Sequence, residues 1–380
     1  MDFEPNEEHV AFRKVMREFA DGEIAPFAEG WDRTHEFPVD AVRKMGDLGL
    51  FGLPFPERYG GSDADFTTLC IAIEEIARVD QSMAITLESA VGLGINPIND
   101  FGTDDQKGRW LPDLLAGRTL AGFGLTEPEA GSDAGATRTR ATLDGEEWVI
   151  DGAKSFITNS GTEITSLVTV TARTGPGEIS TIIVPSGTPG FTVEPAYRKM
   201  GWHASDTHGL VLADCRVPAD HLLGDRGRGF HQFLSTLDDG RIAIAALAVG
   251  VLQACLEESL RYANDRVAFG KPIGSYQAIA FKISDLEVAT EAARLLTYKA
   301  AWLKDTGRPF KQAAAVAKLY ATEAAVTATR EATQIFGGAG FMDETLVARH
   351  YRDAKVLEIG EGTSEIQRLV IARGLGLPVD

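Results

Sequence analysis

One carboxylate carries the sharpest chemical signal in this chain. Glu361 stands between Gly360 and Gly362 in IGEGTSEIQRLVIA, residues 359–372. An acid near a helix start is ordinarily a partner for the helix dipole. Ser364 and Gln367 have the spacing of a capping box, with a hydroxyl at the N-cap and an amide three residues later. That reading explains Glu361 but not the flanking glycines, the residues that lose most backbone entropy on ordering. Their presence points to unusual backbone, or to close contact with something bound.

Four further stretches hold residues suited to ligand contact. FGLTEPEAGSDAG, residues 123–135, packs Thr126, Pro128, Ser132 and several glycines into one loop. Its hydroxyls and backbone N–H groups suit a flat, polar-edged ligand or a phosphate, and a plain surface loop is the competing reading. Gly122 and Gly124 lack the third glycine and the following helix of a dinucleotide fingerprint. KSFITNSG, residues 154–161, puts Phe156 and Thr158 on one face if it is a strand; composition alone favours a core role for Phe156. DRVAFGKPIGSYQAIAFK, residues 265–282, places Arg266, Phe269 and Gln277 in a turn-rich link. QIFGGAGFMDE, residues 334–344, ends a helix with three glycines where a C-cap needs one.

The elements that must carry these residues fall into three textures. Up to about residue 120 the pattern is helical: Asn6 precedes an acidic turn and a face of Val10, Phe12, Val15, Met16 and Phe19. Pro38 opens a second helix through Leu48, residues 69–77 form a third, and Thr103 caps a fourth. From about 121, short β-branched runs at 165–172, 180–185 and 209–217, separated by glycine-rich turns, predict a small β-domain. After Asp225 the chain is helical again, with long elements over 241–264, 277–305 and 311–336. Their alanine content predicts close antiparallel bundle packing, and their apolar faces are broad enough for more burial than one subunit provides. Helix, then β, then helix is the expected order.

Composition bounds the rest. The chain has 380 residues, 44% hydrophobic and 24% charged, which allows two or three domains with ample core. A net charge of -18 argues against nucleic acid or an anionic membrane as main partner. The three cysteines match no disulfide or zinc spacing and the seven histidines form no ligand motif, so no metal is expected. A reducing cytosol fits the cysteines. The acidic start MDFEPNEEHV does not resemble a signal peptide, and no apolar run approaches the ~18 residues of a membrane span.

The loop at 123–135, the SFIT element, RVAFGKPI, QIFGG and GEGTSEIQR occur in the order found in acyl-CoA dehydrogenases. The chain resembles that family over its whole length. The resemblance implies an α+β multi-domain fold: a helical N-terminal domain (1–120), a small central β-domain (121–229) and a C-terminal four-helix-bundle domain (230–380). It also implies FAD-dependent conversion of an acyl-CoA to its trans-2-enoyl-CoA in a homotetramer, with electrons passing to an electron-transfer flavoprotein. An acyl-CoA oxidase, or a scaffold without activity, is the alternative.

Carried over by residue, Glu361 resembles the base that removes the α-proton, and Gly362 lets the thioester approach the backbone. Phe123, Leu125, Thr126 and Ser132 resemble flavin and phosphate contacts, Ser132 also meeting acyl-CoA. Phe156, Ile157 and Thr158 resemble a tryptophan-isoleucine-threonine face on the flavin ring. Arg266, Phe269 and Gln277, with Gln334, Ile335, Phe336, Gly337 and Gly338, resemble residues gripping the pyrophosphate and adenosine across a subunit interface. Thr363, Ser364 and Glu365 resemble a further FAD contact, and Asp238 and Arg241 resemble CoA contacts. Three positions depart from common patterns. Gly360 replaces a tyrosine, which implies a pocket open to short, branched or cyclic acyl groups. Gly240 stands where a second branch places its base, leaving Glu361 as the candidate. His203 stands where relatives often carry arginine.

Overall fold

The computed structural model describes residues 6–379. The N-terminal part contains α1 (Glu7–Phe19), α2 (Ala25–Thr34), α3 (Val39–Asp47), α4 (Phe66–Val79), α5 (Gln81–Glu88), α6 (Asn96–Phe101) and α7 (Asp104–Leu115). Local capping chemistry sets several starts. The Asn6 side chain accepts from the His9 N–H at 2.7 Å, and Thr103 forms a reciprocal capping box with Gln106. Of the expected α1 face, Met16 is fully buried and Phe12 and Phe19 pack at the core edge, whereas Val10 and Val15 are exposed. The buried helix α5 runs directly into a π-helical segment, Ser89–Ile95.

The central part is one sheet of eight strands: β1 (Leu120–Gly124), β2 (Arg140–Asp144), β3 (Glu147–Thr158), β4 (Thr165–Gly175), β5 (Glu178–Pro185), β6 (Phe191–Val193), β7 (Thr207–Pro218) and β8 (Leu222–Leu223). Its order is β6-β7-β3-β2-β4-β5-β8, with β1 added parallel to β4. Trp148, Ile150, Val168, Val170 and Leu210 alternate into its buried face. The β3–β7 register slips between Lys154 and Ile157, a bulge that turns the end of β3 outward.

The C-terminal part is built on α8 (Gly229–Asp265), a short hairpin of β9 (Val267–Ala268) and β10 (Lys271–Pro272), α9 (Gln277–Asp305), α10 (Lys311–Phe336), α11 (Leu346–Ala354) and α12 (Ser364–Gly374). The ends of α9 and α10 agree with the sequence reading. However, α8 begins at Gly229 rather than Arg241, because tertiary packing carries it through Asp238-Asp239-Gly240. It also overturns the expectation that no segment is apolar enough to cross a membrane. By length and composition α8 would suffice, but most of its apolar stretch is buried inside the fold, as suits a core helix. On α10, Ala314, Ala317, Ala321, Ala325, Ala328 and Ala332 form a buried small-residue stripe that permits close helix approach.

Candidate active site

The turn before α12 is held from three sides. Thr363, not Ser364, is the N-cap, and its hydroxyl accepts from the Ile366 N–H at 3.3 Å. This corrects the expected Ser364–Gln367 box. Gln367 instead turns its amide back, donating to the Gly362 carbonyl at 2.8 Å and the Glu361 carbonyl at 3.3 Å. Lys318, fully buried on α10, donates to the same Gly362 carbonyl at 2.9 Å. These anchors hold Glu361 at φ 51° and Gly362 at φ 89°, two successive left-handed residues. A Cβ at Gly362 would stand 2.8 Å from Gln367 Nε2. Gly360 is different, because a Cβ there would meet only Val356 O, at 3.5 Å. Its backbone does not demand glycine.

Glu361 is half-buried as a residue, yet both carboxylate oxygens are shielded from solvent and, among the described residues, accept no hydrogen bond from an N–H or hydroxyl donor. They face Gly240 on α8, where a Cβ would fall 2.0 Å from Oε2. Burial raises the carboxyl above the usual carboxylate range, while the Glu88 carboxyl and the charges of Lys318 and Arg241 restrain the rise. Burial also lowers the Lys318 ammonium to about 8. Glu88, the last residue of α5, is fully buried and within hydrogen-bonding reach of Glu361. Beside this pair, Arg241 is buried and paired with Asp238, which Lys311 approaches at 3.6 Å. The Arg241 Nε and the Ser364 hydroxyl are buried without a partner among the described residues.

A second set of residues gathers around the loop after β1. The Ser155 N–H on β3 donates to Thr126 O at 2.9 Å, joining the loop to the SFIT element. Beneath it lies a buried ion pair, Lys154 Nζ to Glu127 Oε1 at 2.7 Å. Glu127 also accepts from Thr137 Oγ1, Arg138 N at 2.5 Å and Thr139 N at 3.1 Å. Burial would raise Glu127, but the Lys154 charge and these donors pull it down to about 2. Burial holds Lys154 down to about 8. Phe123 stacks on Phe233 at 3.9 Å between centroids, Leu125 and Thr126 are half-buried, and Ser132 is exposed. Phe156 is 66% exposed at φ 62°, which overturns its core reading, with Ile157 buried and Thr158 half-buried beside it.

A third set lies elsewhere. Arg266 caps α8, Phe269 is 96% exposed at φ 52°, and Gln277 opens α9 exposed to solvent. The end of α10 packs nearby through Phe336, whose ring stacks on Tyr262 at 4.1 Å. Ile335 and Phe336 bury their side chains in the core, whereas Gln334, Gly337 and Gly338 are exposed. Arg266 lies 26 residues beyond Gly240 on α8, about 39 Å along the axis at 1.5 Å per residue. One protomer therefore does not bring this set to Glu361. Glu365 is exposed on the first turn of α12. His203 joins a polar cluster: it lies 2.9 Å from Asp32, stacks on His35, and shares Asp32 with Arg352.

Sequence reading missed Glu88, Lys318, Gln367 as an anchor, and the Lys154–Glu127 pair. The two members of that pair stand in quoted motifs, but nothing local couples them. A lysine on the alanine face of α10 was the one visible sign for Lys318.

Three family models match the chain: the acyl-CoA dehydrogenase N-terminal domain over residues 6–118, the middle domain over 122–215, and the C-terminal domain over 227–376. The chain is 52% identical over 378 residues to the probable acyl-CoA dehydrogenase YngJ of Bacillus subtilis, covering 99% of this chain and 100% of that one. Butyryl-CoA dehydrogenase from Megasphaera elsdenii superposes with a TM-score of 0.96 at 41% identity, over 99% and 100% of the two chains. A chain from a structure of the electron transferring flavoprotein of Acidaminococcus fermentans, directed at flavin-based electron bifurcation, superposes with a TM-score of 0.96 at 40% identity, over 99% of each.

Proposed function

The chain belongs to the acyl-CoA dehydrogenase family of oxidoreductases, and from that premise we propose that Glu361 removes the α-proton of a short, branched or cyclic acyl-CoA to yield its trans-2-enoyl-CoA. The observation that carries this reading is the Glu361 carboxylate: shielded, free of N–H and hydroxyl donors, and raised in proton affinity by burial. A weak carbon acid requires such a base, because desolvation brings the two proton affinities together. The Glu361 N–H donates to no backbone carbonyl among the described residues, so it is free to stabilise charge developing on the thioester oxygen. Lys318 and Gln367 fix the turn that presents both groups. Asp238 and Arg241 bind the CoA moiety beside it.

The residues suit FAD. Phe156 offers an exposed aromatic face, the loop from Phe123 to Ser132 is pinned against it through Ser155, and Ser364 holds a buried hydroxyl without a partner. FAD supplies a hydride acceptor for the β-hydrogen. Thr158, Leu125 and Thr126 hold the ring edge, and Thr363 and Glu365 lie at the same turn as the base. Arg266, Phe269, Gln277 and the exposed residues of 334–338 serve the adenylate half on a second copy. That arrangement is supported by their separation from Glu361 and by Phe281, Val288, Leu295 and Trp302, which recur every seven residues on α9 and are all at least half exposed. Such a seam suits a homotetramer, which light scattering of the holoprotein tests.

The open space at Gly360 and the likeness to a butyryl-CoA dehydrogenase support a small or branched acyl group. The Acidaminococcus structure supports an electron-transfer flavoprotein as acceptor. Three buried free cysteines suit the reducing cytosol. Anaerobic mixing of the purified protein with a panel of acyl-CoAs should bleach its flavin. No bleaching with any member, or a colourless protein, overturns the proposal, and rapid oxygen uptake during turnover would make it an oxidase instead.

A further inference from the structure

Glu88 has no place in the mechanism so far, although it is the most deeply enclosed acid beside the base. It ends α5 where the chain enters its π-helical segment, and its side chain has no exposed surface. Among the described residues no N–H or hydroxyl donates to either oxygen, and the same holds for both oxygens of Glu361. The two carboxyls are nonetheless within hydrogen-bonding reach of each other. Each occupies space that a glycine leaves open: a Cβ at Gly92 would lie 3.0 Å from Glu88 Oε1, and one at Gly240 would lie 2.0 Å from Glu361 Oε2.

Two adjacent carboxylates without solvent do not both stay ionised, so the pair retains one proton near neutral pH. Charge placement decides which group keeps it. Lys318 on α10 and Arg241 on α8 face Glu361, and Asp238 is neutralised by Arg241 and Lys311. The charged group acting on Glu88 is Glu361 itself. The anion therefore sits on Glu361 and the proton on Glu88.

We propose, resting on the assignment of Glu361 as base, that Glu88 is a positioning residue: a neutral acid whose O–H donates to the Glu361 carboxylate and holds it turned and ionised before acyl-CoA enters. No proton passes between them in this role. Burial and the neighbouring negative charge push the Glu88 carboxyl well above the usual range, in accord with that assignment.

Two measurements test it on the FAD-loaded enzyme. The first needs no substrate: infrared difference spectra at pH 7 between wild type and Glu88→Gln should show loss of a protonated-carboxyl C=O band. Absence of that band overturns the proposal even if no acyl-CoA is turned over, whereas failure of turnover alone overturns the assignment of function. The second is the pH profile of kcat/KM. Glu88→Leu removes the donor, so the acid limb, which reports Glu361, should move up by about one unit, a roughly tenfold loss below it. Glu88→Gln keeps an N–H donor and should hold the limb near its wild-type position. An unmoved limb in Glu88→Leu, or equal shifts in both variants, overturns the proposal.

Discussion

Gly240→Ala should damage the reaction while sparing the fold. The added methyl would stand 2.0 Å from Glu361 Oε2 and 2.9 Å from its Cδ, where ordinary contact needs about 3.5 Å. The carboxylate must therefore retreat by about 1.5 Å. Misplacement of a reacting group by about 1 Å can cost on the order of 10²-fold, so flavin reduction by acyl-CoA should slow by at least about that factor. Stability should change little. Alanine gains about 0.8–1 kcal/mol over glycine inside a helix, while an off-rotamer Glu361 costs about 0.5–1.5 kcal/mol. The variant should keep its flavin, and its Tm should stay within about 4 °C of wild type. Gly250 on the same helix supplies the contrast. A Cβ there meets the Glu74 backbone carbonyl at 2.2 Å, which cannot rotate away, so Gly250→Ala should lose stability instead. Anaerobic stopped-flow reduction with butyryl-CoA, beside thermal unfolding of both variants, provides the readout. A wild-type rate in Gly240→Ala, or parallel loss of rate, flavin and Tm, refutes the reasoning.

Lys154→Met should destabilise the protein by roughly 3–5 kcal/mol, because it leaves the Glu127 carboxylate buried without its ion partner; denaturant unfolding and flavin content measure this. Asp353 is fully buried and raised to about 7 by burial, with Asp80 adding to the rise. The folded state thus binds more protons than the unfolded chain between the ordinary carboxylate range and about pH 7, so stability falls as pH rises through that window. Asp353→Asn should flatten this decline in a Tm-against-pH series. Gly360→Tyr should fill the open space beside the base and lower kcat/KM more for 2-methyl or cyclic acyl-CoAs than for straight chains; equal losses remove the steric argument.

What the sequence disclosed was governed by range. Helix ends set by neighbours in the chain were legible: the Thr103 N-cap, and the full extents of α9 and α10. Glu361 was legible because its glycines broke a helix-start pattern that would otherwise have explained it. The cap itself was misassigned by one residue, since Thr363 and Ser364 both offer hydroxyls and only the position of the turn chooses between them. The start of α8 was hidden because Gly229 and Gly240 are poor helix formers whose lost propensity is offset by buried packing. Contacts across long sequence separation left almost no local trace, the lysine on the alanine face of α10 aside. Lys154 reaches back to Glu127, Lys318 reaches forward to Gly362, and Glu88 lies opposite a turn near the far end of the chain. Phe156 shows the same limit, because composition placed it in the core and a bulge in β3 turned it out.

The central claim is that Glu361 is the base, and Glu361→Gln tests it most directly. Glutamine keeps the size and leaves the backbone anchors from Lys318 and Gln367 intact, but it accepts no proton near neutral pH. The variant should retain FAD and bind acyl-CoA, yet its flavin should bleach about 10²–10⁴-fold more slowly with butyryl-CoA, or with a faster substrate from the panel. A helix-end charge alone would cost only about 0.3–1 kcal/mol of stability and leave the rate intact. Bleaching at the wild-type rate in Glu361→Gln would contradict the mechanism.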